Sequence, residues 1–548
     1  MHTNPALTEQ RAARMLHERI APAVHAASVP LALTAWRAPG EPVPFGEAAT
    51  QDYEPIHPGD PWGPPWGTTW IHATGVVPDG WRDRDGHRIE LVVDLGFTDS
   101  QPGFQAEGLL RRADGSAIKA ISPRNRAADW EGEPDAIDVY IEAASNPDVA
   151  GGFEFAPTPL GYRETAGQDP PYRLRRVDVA LRDLTVWELV QDLTVLLELA
   201  EDLPADSTRR ARIDVALERA VDRVDPRNVS GTAAAARAEL AGALASPAAA
   251  SAHHVIAVGH AHIDSAWLWP VRETVRKCVR TFSSVLDLMD SDPAFVFACS
   301  SAQQYAWVKE DQPELYERIR RRVAEGRFIP VGGMWLEADT NMPGSEALAR
   351  QMIEGKSFFI EEFGVETRDV WLPDSFGYTG SLPQIIRAAG SRWFLSQKLS
   401  WNDTDRMPHH TFAWEGIDGS RVLAHFPPVD TYNSRLSVAE LHHAESNFAE
   451  KGVASSSIVP FGWGDGGGGP TREMLAAAHR MEDLEGVATV ELGSPNTFFE
   501  RAEAEMARAV GAAEPVGTAR PAGTPGASGA AEPAGTSEPA QPAGAAGP

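Results

Sequence analysis

Between about residues 60 and 190, apolar and polar positions alternate in short runs such as TTWIHATGVV, RIELVVDLGF and GGFEF, with Gly, Pro and Asp between them, as in PDGW. Period-two runs bounded by turn-forming residues predict short strands, and several in succession predict a β-sandwich. From about 183 to 247 the period lengthens to that of a helix, in LTVWELVQDLTVLLELAEDL and an Ala- and Arg-rich run, and closes on the small-residue stretch ASPAAASA. This segment predicts a helical connector and a hinge. Beyond Ala252, apolar strands alternate with amphipathic helices: HVIAVG precedes Val271–Met289, FVFACSS precedes Pro313–Glu325, RFIPVGG precedes Ser345–Phe363, DVWLP precedes Ser381–Ala389, and IVPFGWG precedes Thr471–Met481. Buried-type strands alternating with helices predict an α/β fold with a mostly parallel sheet, open or closed into a barrel. From Ala509 to Pro548 the chain is almost wholly Ala, Gly, Pro, Thr, Ser and Glu. Without large apolar side chains such a tail cannot offset the entropy of ordering, and disorder is expected. The pattern thus divides the chain into an N-terminal helix and β-sandwich (1–182), a helical connector (183–252), an α/β domain (253–508) and a tail (509–548).

Length supports this division, since 548 residues exceed what one core normally fills. Charge narrows the partners. Forty-nine Lys and Arg against 77 Asp and Glu leave a net charge of −28, which disfavours nucleic acid and acidic membranes and suits a neutral or cationic ligand. The N-terminus has no apolar signal core, and no run approaches the roughly 18 apolar residues that cross a bilayer, so a cytoplasmic protein is expected. The two cysteines, Cys278 and Cys299, lack metal-type spacing and read as buried, reduced thiols. No fixed period is present, which argues against a solenoid.

In open or closed α/β sheets, chemistry collects at the carboxyl ends of strands. The unusual polar residues of this chain fall there: HAHID after the first strand, EADTN after the third, PDSFG after the fourth and GDGGGG after IVPFGW. His262 and Asp264 lie two apart, so a strand running through them would send both side chains, with that of His260, from one face toward a divalent ion. Asp374, fixed between Pro373 and Gly377, is a candidate metal ligand or nucleophile, or an Asx turn ahead of a helix. Asp465 sits among glycines that admit a ligand close to the backbone. The GxxxxGK[ST] phosphate-loop pattern is absent, which leaves either a carboxylic acid paired with a second carboxylate, as in glycosidases, or a solvated loop aspartate. Trp267, Trp269, Trp335, Trp371, Phe376, Trp401 and Trp463 gather near these positions, and aromatic rings pack on the C–H faces of sugars. About half of them are expected to be core. His409, His410 and His425 read as hydrogen-bonded structure rather than ligands, and Glu337 and Asp339 are placed on the same rim.

These motifs resemble glycoside hydrolase family 38, the α-mannosidases, especially the cytosolic and vacuolar type with an N-terminal β-domain. The likeness spans most of residues 1 to 508. It rests on WGTTWIHATGVVP, FQAEGLLRRADGSAIKAISPRNR, GHAHIDSAWLWP, GGMWLEADTNMPGSEALARQ, WLPDSFGYTGSLPQI, QKLSWND, HHTFAWEG and FGWGDGGGGPT. The resemblance implies a (β/α)7-type barrel, zinc (or cobalt) held by His262, Asp264 and Asp374, Asp374 as catalytic nucleophile, and Asp465 as general acid/base. It further implies that Trp267 and Phe376 shape the sugar pocket, and that the reaction is a retaining hydrolysis of terminal α-mannosides in oligosaccharides. In the family a fourth ligand, a histidine, comes from domains beyond the barrel, whereas here no histidine follows His479. A C-terminally truncated homologue with impaired turnover is therefore expected. The competing expectations are a catalytically silent carbohydrate-binding protein and a metal-dependent sugar deacetylase. Self-association is left open.

Overall fold

The computed structural model describes residues 4–148 and 166–512. The expected strand GGFEF and nearly all of the expected disordered tail lie outside those residues. After the helix Pro5–Met15, two antiparallel sheets stack face to face. One orders its strands His25–Pro30, Arg176–Asp183, His87–Asp94 and Ala127–Asp129; the other orders Glu54–Pro55, Ala32–Arg37, Thr68–Val76, Ala136–Ala144, Glu107–Arg112 and Ala117–Ile121. Alternation explains the packing. In Ala136–Ala144, the side chains of Ile137, Val139, Ile141 and Ala143 enter the inter-sheet core, while Asp138 and Tyr140 lie outside it. The expected β-sandwich is present.

Residues 183–252 are more than a tether. Asp183 caps the helix Leu184–Asp202 by accepting the N–H groups of Thr185 and Val186, and the helices Thr208–Arg223 and Val229–Leu244 pack beside it. Leu193, Leu196, Leu217 and Leu240 share one continuous core with Val255, Phe282 and Val459 of the α/β region. The apolar stripe of each helix was legible, but not its partner. That stripe is buried against the α/β core, so the three helices pack on that region as well as connecting it to the sandwich. Residues Met1–Met506 accordingly form one compact unit.

The α/β region contains two sheets. The first orders Phe328–Pro330, Phe297–Cys299, His254–His260 and Ser456–Phe461, all parallel, with Thr489–Leu492 also parallel to His254–His260. The second orders Asp369–Trp371, Trp393–Leu395 and Arg421–His425 in parallel and ends in the antiparallel strand Thr411–Glu415. Side-chain hydrogen bonds join the sheets at both margins: Gly332 N donates to Asp369 Oδ2 at 3.1 Å, and Ile458 N donates to His425 Nε2 at 3.3 Å. Five strand–helix pairs were expected. The structure adds the helix Ala302–Asp311 before Pro313–Ala324, and the hairpin of Thr411–Glu415 with Arg421–His425.

Asp369 at the sheet margin carries a stability consequence. It is buried, and burial pushes its carboxyl up to about 6. An unfolded aspartate titrates near pH 4, so between about pH 4 and about pH 6 the native state binds more protons, and stability falls as pH rises through that window. Asp369→Asn keeps an oxygen for the Gly332 N–H without the charge. Urea unfolding at pH 4 and pH 7 is expected to show the wild type losing about 2–3 kcal/mol more across that range than the variant. Equal losses would refute the assignment.

Ion pairs tie the sandwich to the helix Val271–Ser291. Lys277, with no exposed side-chain surface, and Arg280 both pair with Glu107 of the sandwich, and Arg280 also meets Glu273 at 2.5 Å. Asn146 Nδ2 donates to Glu273 at 2.9 Å, and Arg276 meets Glu142 at 2.9 Å. Each charge has a partner within a region closed to water, and Glu107 is the one carboxylate among the described residues that Lys277 meets, so its removal would strand that ammonium.

Candidate active site

The strand His254–His260 ends two residues before His262, so strand geometry alone does not aim the ligand pair. The loop nevertheless brings them together. His262 Nε2 lies 3.3 Å from Asp264 Oδ1 and 3.7 Å from Asp374 Oδ2, and one ligand atom from each residue falls within 4.8 Å of the other two. His260 belongs elsewhere: its Nε2 accepts the indole N–H of Trp371 at 3.1 Å. Burial pulls its pKa down to about 3, and it remains a neutral core residue.

The donor set fits a divalent cation. Asp264 Oδ2 is buried and has no hydrogen-bond partner, an arrangement that a positive ion would satisfy. Burial disfavours a charged His262 ring, yet the carboxylates of Glu337 and Asp264 outweigh it and hold its pKa well above the usual imidazole range. That surplus of negative charge attracts a proton or a metal ion, and binding a metal would release the proton. Glu337 Oε2 lies 3.2 Å from His262 Nδ1, while its Oε1 accepts from Ser300 at 2.7 Å. A carboxylate behind a ligand histidine orients the ring. Asp339 instead accepts the N–H groups of Asn341 and Met342 and braces its own loop.

Two residues not marked by the sequence reading complete the carboxylate arrangement. Lys398 Nζ donates to Asp374 Oδ1 at 2.5 Å. The Tyr432 hydroxyl lies 2.9 Å from Asp374 Oδ1 and 3.1 Å from Asp465 Oδ1, placing those oxygens no more than about 6 Å apart. Asn433 Nδ2 reaches Asp465 Oδ2 at 3.4 Å. Asp465 occupies the left-handed region at φ 54°, a strained conformation for a non-glycine residue of the kind that collects at functional sites. Burial, reinforced by the carboxylates of Asp264 and Asp374 and opposed by the charge on His262, raises its pKa above the ordinary aspartate value. Such a carboxyl is suited to hold a proton that a hydrated aspartate would give up.

The seven aromatic residues divide unequally, with Trp335 and Trp463 half-buried. Trp267, Phe376 and Trp401 are exposed, at 46%, 79% and 63%, whereas Trp269 and Trp371 are buried. Lys398 Nζ lies 4.1 Å from the Phe376 ring centroid and 3.9 Å from that of Trp401, so one ammonium links the aromatic rim to the Asp374 carboxylate. His409, His410 and His425 serve structure, bonding Glu450, the Ala449 N–H, and Thr411 with Ile458 respectively. Cys278 and Cys299 are buried free thiols. No helix among the described residues is long and apolar enough to cross a membrane.

Comparison with known proteins agrees with this arrangement. Residues 252–519 match the N-terminal domain of the glycosyl hydrolases family 38, and residues 29–180 match the alpha-mannosidase jelly roll domain. Human Alpha-mannosidase 2C1 is 38% identical over 489 residues, which is 87% of this chain and 45% of the human protein. Alpha-mannosidase G of Dictyostelium discoideum is 35% identical over 466 residues, 84% of this chain and 42% of its own length. Alpha-mannosidase of Saccharomyces cerevisiae is 32% identical over 453 residues, 77% of this chain and 39% of its own. The chain thus spans a little under half the length of these relatives. With the jelly roll followed by the parallel-sheet domain, and with a histidine and three aspartates gathered at the ends of its strands, the chain belongs to glycosyl hydrolase family 38.

Proposed function

We propose that this chain is a retaining, zinc-dependent α-mannosidase acting on terminal α-mannosides of oligosaccharides. The observation that carries the proposal is the Tyr432 hydroxyl shared by Asp374 and Asp465. Two carboxylates whose nearest hydrogen-bonded oxygens lie no more than about 6 Å apart suit a nucleophile and an acid flanking one glycosidic bond. His262, Asp264 and Asp374 would hold the metal, which when bound supplies a positive template for sugar hydroxyls and electrostatic stabilisation.

The chain's own residues perform the covalent steps. Lys398 and Tyr432 fix the Asp374 carboxylate, which attacks the anomeric carbon as the bond to the leaving oxygen breaks. Asp465 gives its proton to that oxygen, then takes one from the water that cleaves the glycosyl–Asp374 ester. Trp267, Phe376 and Trp401 offer exposed faces to the sugar rings. A neutral glycan also suits a chain of net charge −28. We further infer that the two α/β sheets form one interrupted barrel of the (β/α)7 type, supported by the Gly332–Asp369 and Ile458–His425 bonds across their margins. Residues 253–508 would then be the catalytic domain. Two buried thiols accord with a reducing, cytoplasmic setting.

Metal content and hydrolysis of an aryl α-mannoside test the proposal together. Chelation is expected to lower the rate at least about 100-fold, with recovery on adding zinc or cobalt, and the first product seen by NMR should be α-mannose. β-Mannose as the first product, or turnover indifferent to chelation, would refute it.

A further inference from the structure

The jelly roll reaches the acid/base loop directly. Gly103, at φ 92°, packs so closely on that loop that a Cβ there would come 2.4 Å from the Asp465 carbonyl oxygen and 3.1 Å from Gly467 N. Pro102 covers Gly467 from the same side, since a Cβ on Gly467 would meet Pro102 Cγ at 3.3 Å. Lys277 pins the contact from below. Its Nζ donates to the Gly103 carbonyl at 2.9 Å, and its stem lies where a Cβ of Gly466 would go, with Cδ at 2.8 Å. Inside the loop, Gly466 N donates to the His262 carbonyl at 3.2 Å and Gly467 N to that of Gly464 at 2.8 Å. The next residue of the jelly roll, Phe104, meets the exposed ring of Trp267 edge-on at 5.1 Å between centroids.

The geometry points to Gly103 and Lys277 as positioning residues for Asp465: the jelly roll forms a strap that holds the acid/base loop in its left-handed turn, so that a domain outside the catalytic barrel sets proton delivery to the leaving oxygen. This rests on the reading of Asp465 as general acid/base. A run of four glycines has little intrinsic preference for one conformation, and the contacts above select one. A loop held by its own hydrogen bonds alone would keep Asp465 near the site without fixing the direction of its carboxyl, and proton transfer is sensitive to that direction.

Proton delivery matters for a poor leaving group and hardly at all for a good one, which separates positioning from general damage. Gly103→Ala is expected to lower kcat/KM about 100-fold on methyl α-mannoside and less than about threefold on 2,4-dinitrophenyl α-mannoside. Lys277→Met, which leaves Glu107 its bond to Arg280, should follow the same pattern. Gly80→Ala provides the control. It imposes a similar backbone strain at φ 77°, with nothing within 4 Å of the new methyl group, and should leave both rates unchanged. Amide hydrogen exchange supplies a readout independent of turnover: exchange at Gly466 and Gly467 should rise at least about tenfold in the Gly103 and Lys277 variants, with the rest of the chain unchanged. Parallel losses on the two mannosides, or unaltered exchange in the loop, would overturn the strap. If the wild type itself hydrolyses neither mannoside, altered exchange in the variants would leave the strap standing and overturn the reading of Asp465.

Discussion

Asparagine at position 374 is expected to abolish turnover, lowering kcat by more than about 10⁴-fold on every α-mannoside regardless of leaving group. An amide oxygen still accepts hydrogen bonds, so Lys398 and Tyr432 keep a partner and the loop keeps its shape. What disappears is the charge that attacks carbon, pairs with Lys398 and would help to hold the metal. A 2-deoxy-2-fluoro-mannosyl donor should label Asp374 in the wild type and nothing in the variant. A label on another carboxylate, or a variant within tenfold of the wild type, would remove Asp374 from the nucleophile's role.

Alanine at position 465 should behave differently. Without a proton donor, alkyl mannosides are expected to lose about 10²–10⁴-fold in kcat/KM, whereas the glycosyl–Asp374 ester still forms from an activated aryl donor and then waits for a nucleophile. Added azide needs no general base, so it should accelerate turnover of the activated donor and yield α-mannosyl azide. Absence of rescue, or β-mannosyl azide as product, would contradict the pairing of Asp465 with Asp374. The two substitutions distinguish an attacking carboxylate from a proton-bearing one in a site where both contact the same tyrosine.

Much of this arrangement is legible in the chain because buried parallel strands appear as continuous apolar runs, as in HVIAVG and IVPFGWG, and the residues just past them must face the strand ends. His262, Asp264, Asp374 and Asp465 were located in that way. The residues that tune them were not. Lys398 and Tyr432 lie 24 and 58 positions from Asp374 and belong to no spacing pattern, so only the tertiary fold brings them to it. His260 shares a run with His262, and its fate is decided by Trp371, 111 positions away. The helix Ala302–Asp311 buries only Ala302, Gln304, Tyr305 and Val308, too few apolar residues to reveal a stripe. The glycine run after Trp463 reads equally well as a free loop or as a catalytic one, because its conformation depends on Gly103, far away in another domain.

The buried charges between jelly roll and α/β region also bear on how such a protein can evolve. Domains joined through polar, hydrated surfaces can be exchanged by recombination, because each brings its own satisfied exterior. Here Lys277, Arg280 and Glu273 find partners in Glu107 and Asn146 across the boundary. A different β-domain would leave Lys277 desolvated and unmatched, whereas Arg280 and Glu273 keep each other, at about 3–5 kcal/mol for the broken pair. That is a large share of a typical domain's total stability. The two domains are therefore expected to descend together, with changes in Glu107 tracked by changes in Lys277 and Arg280.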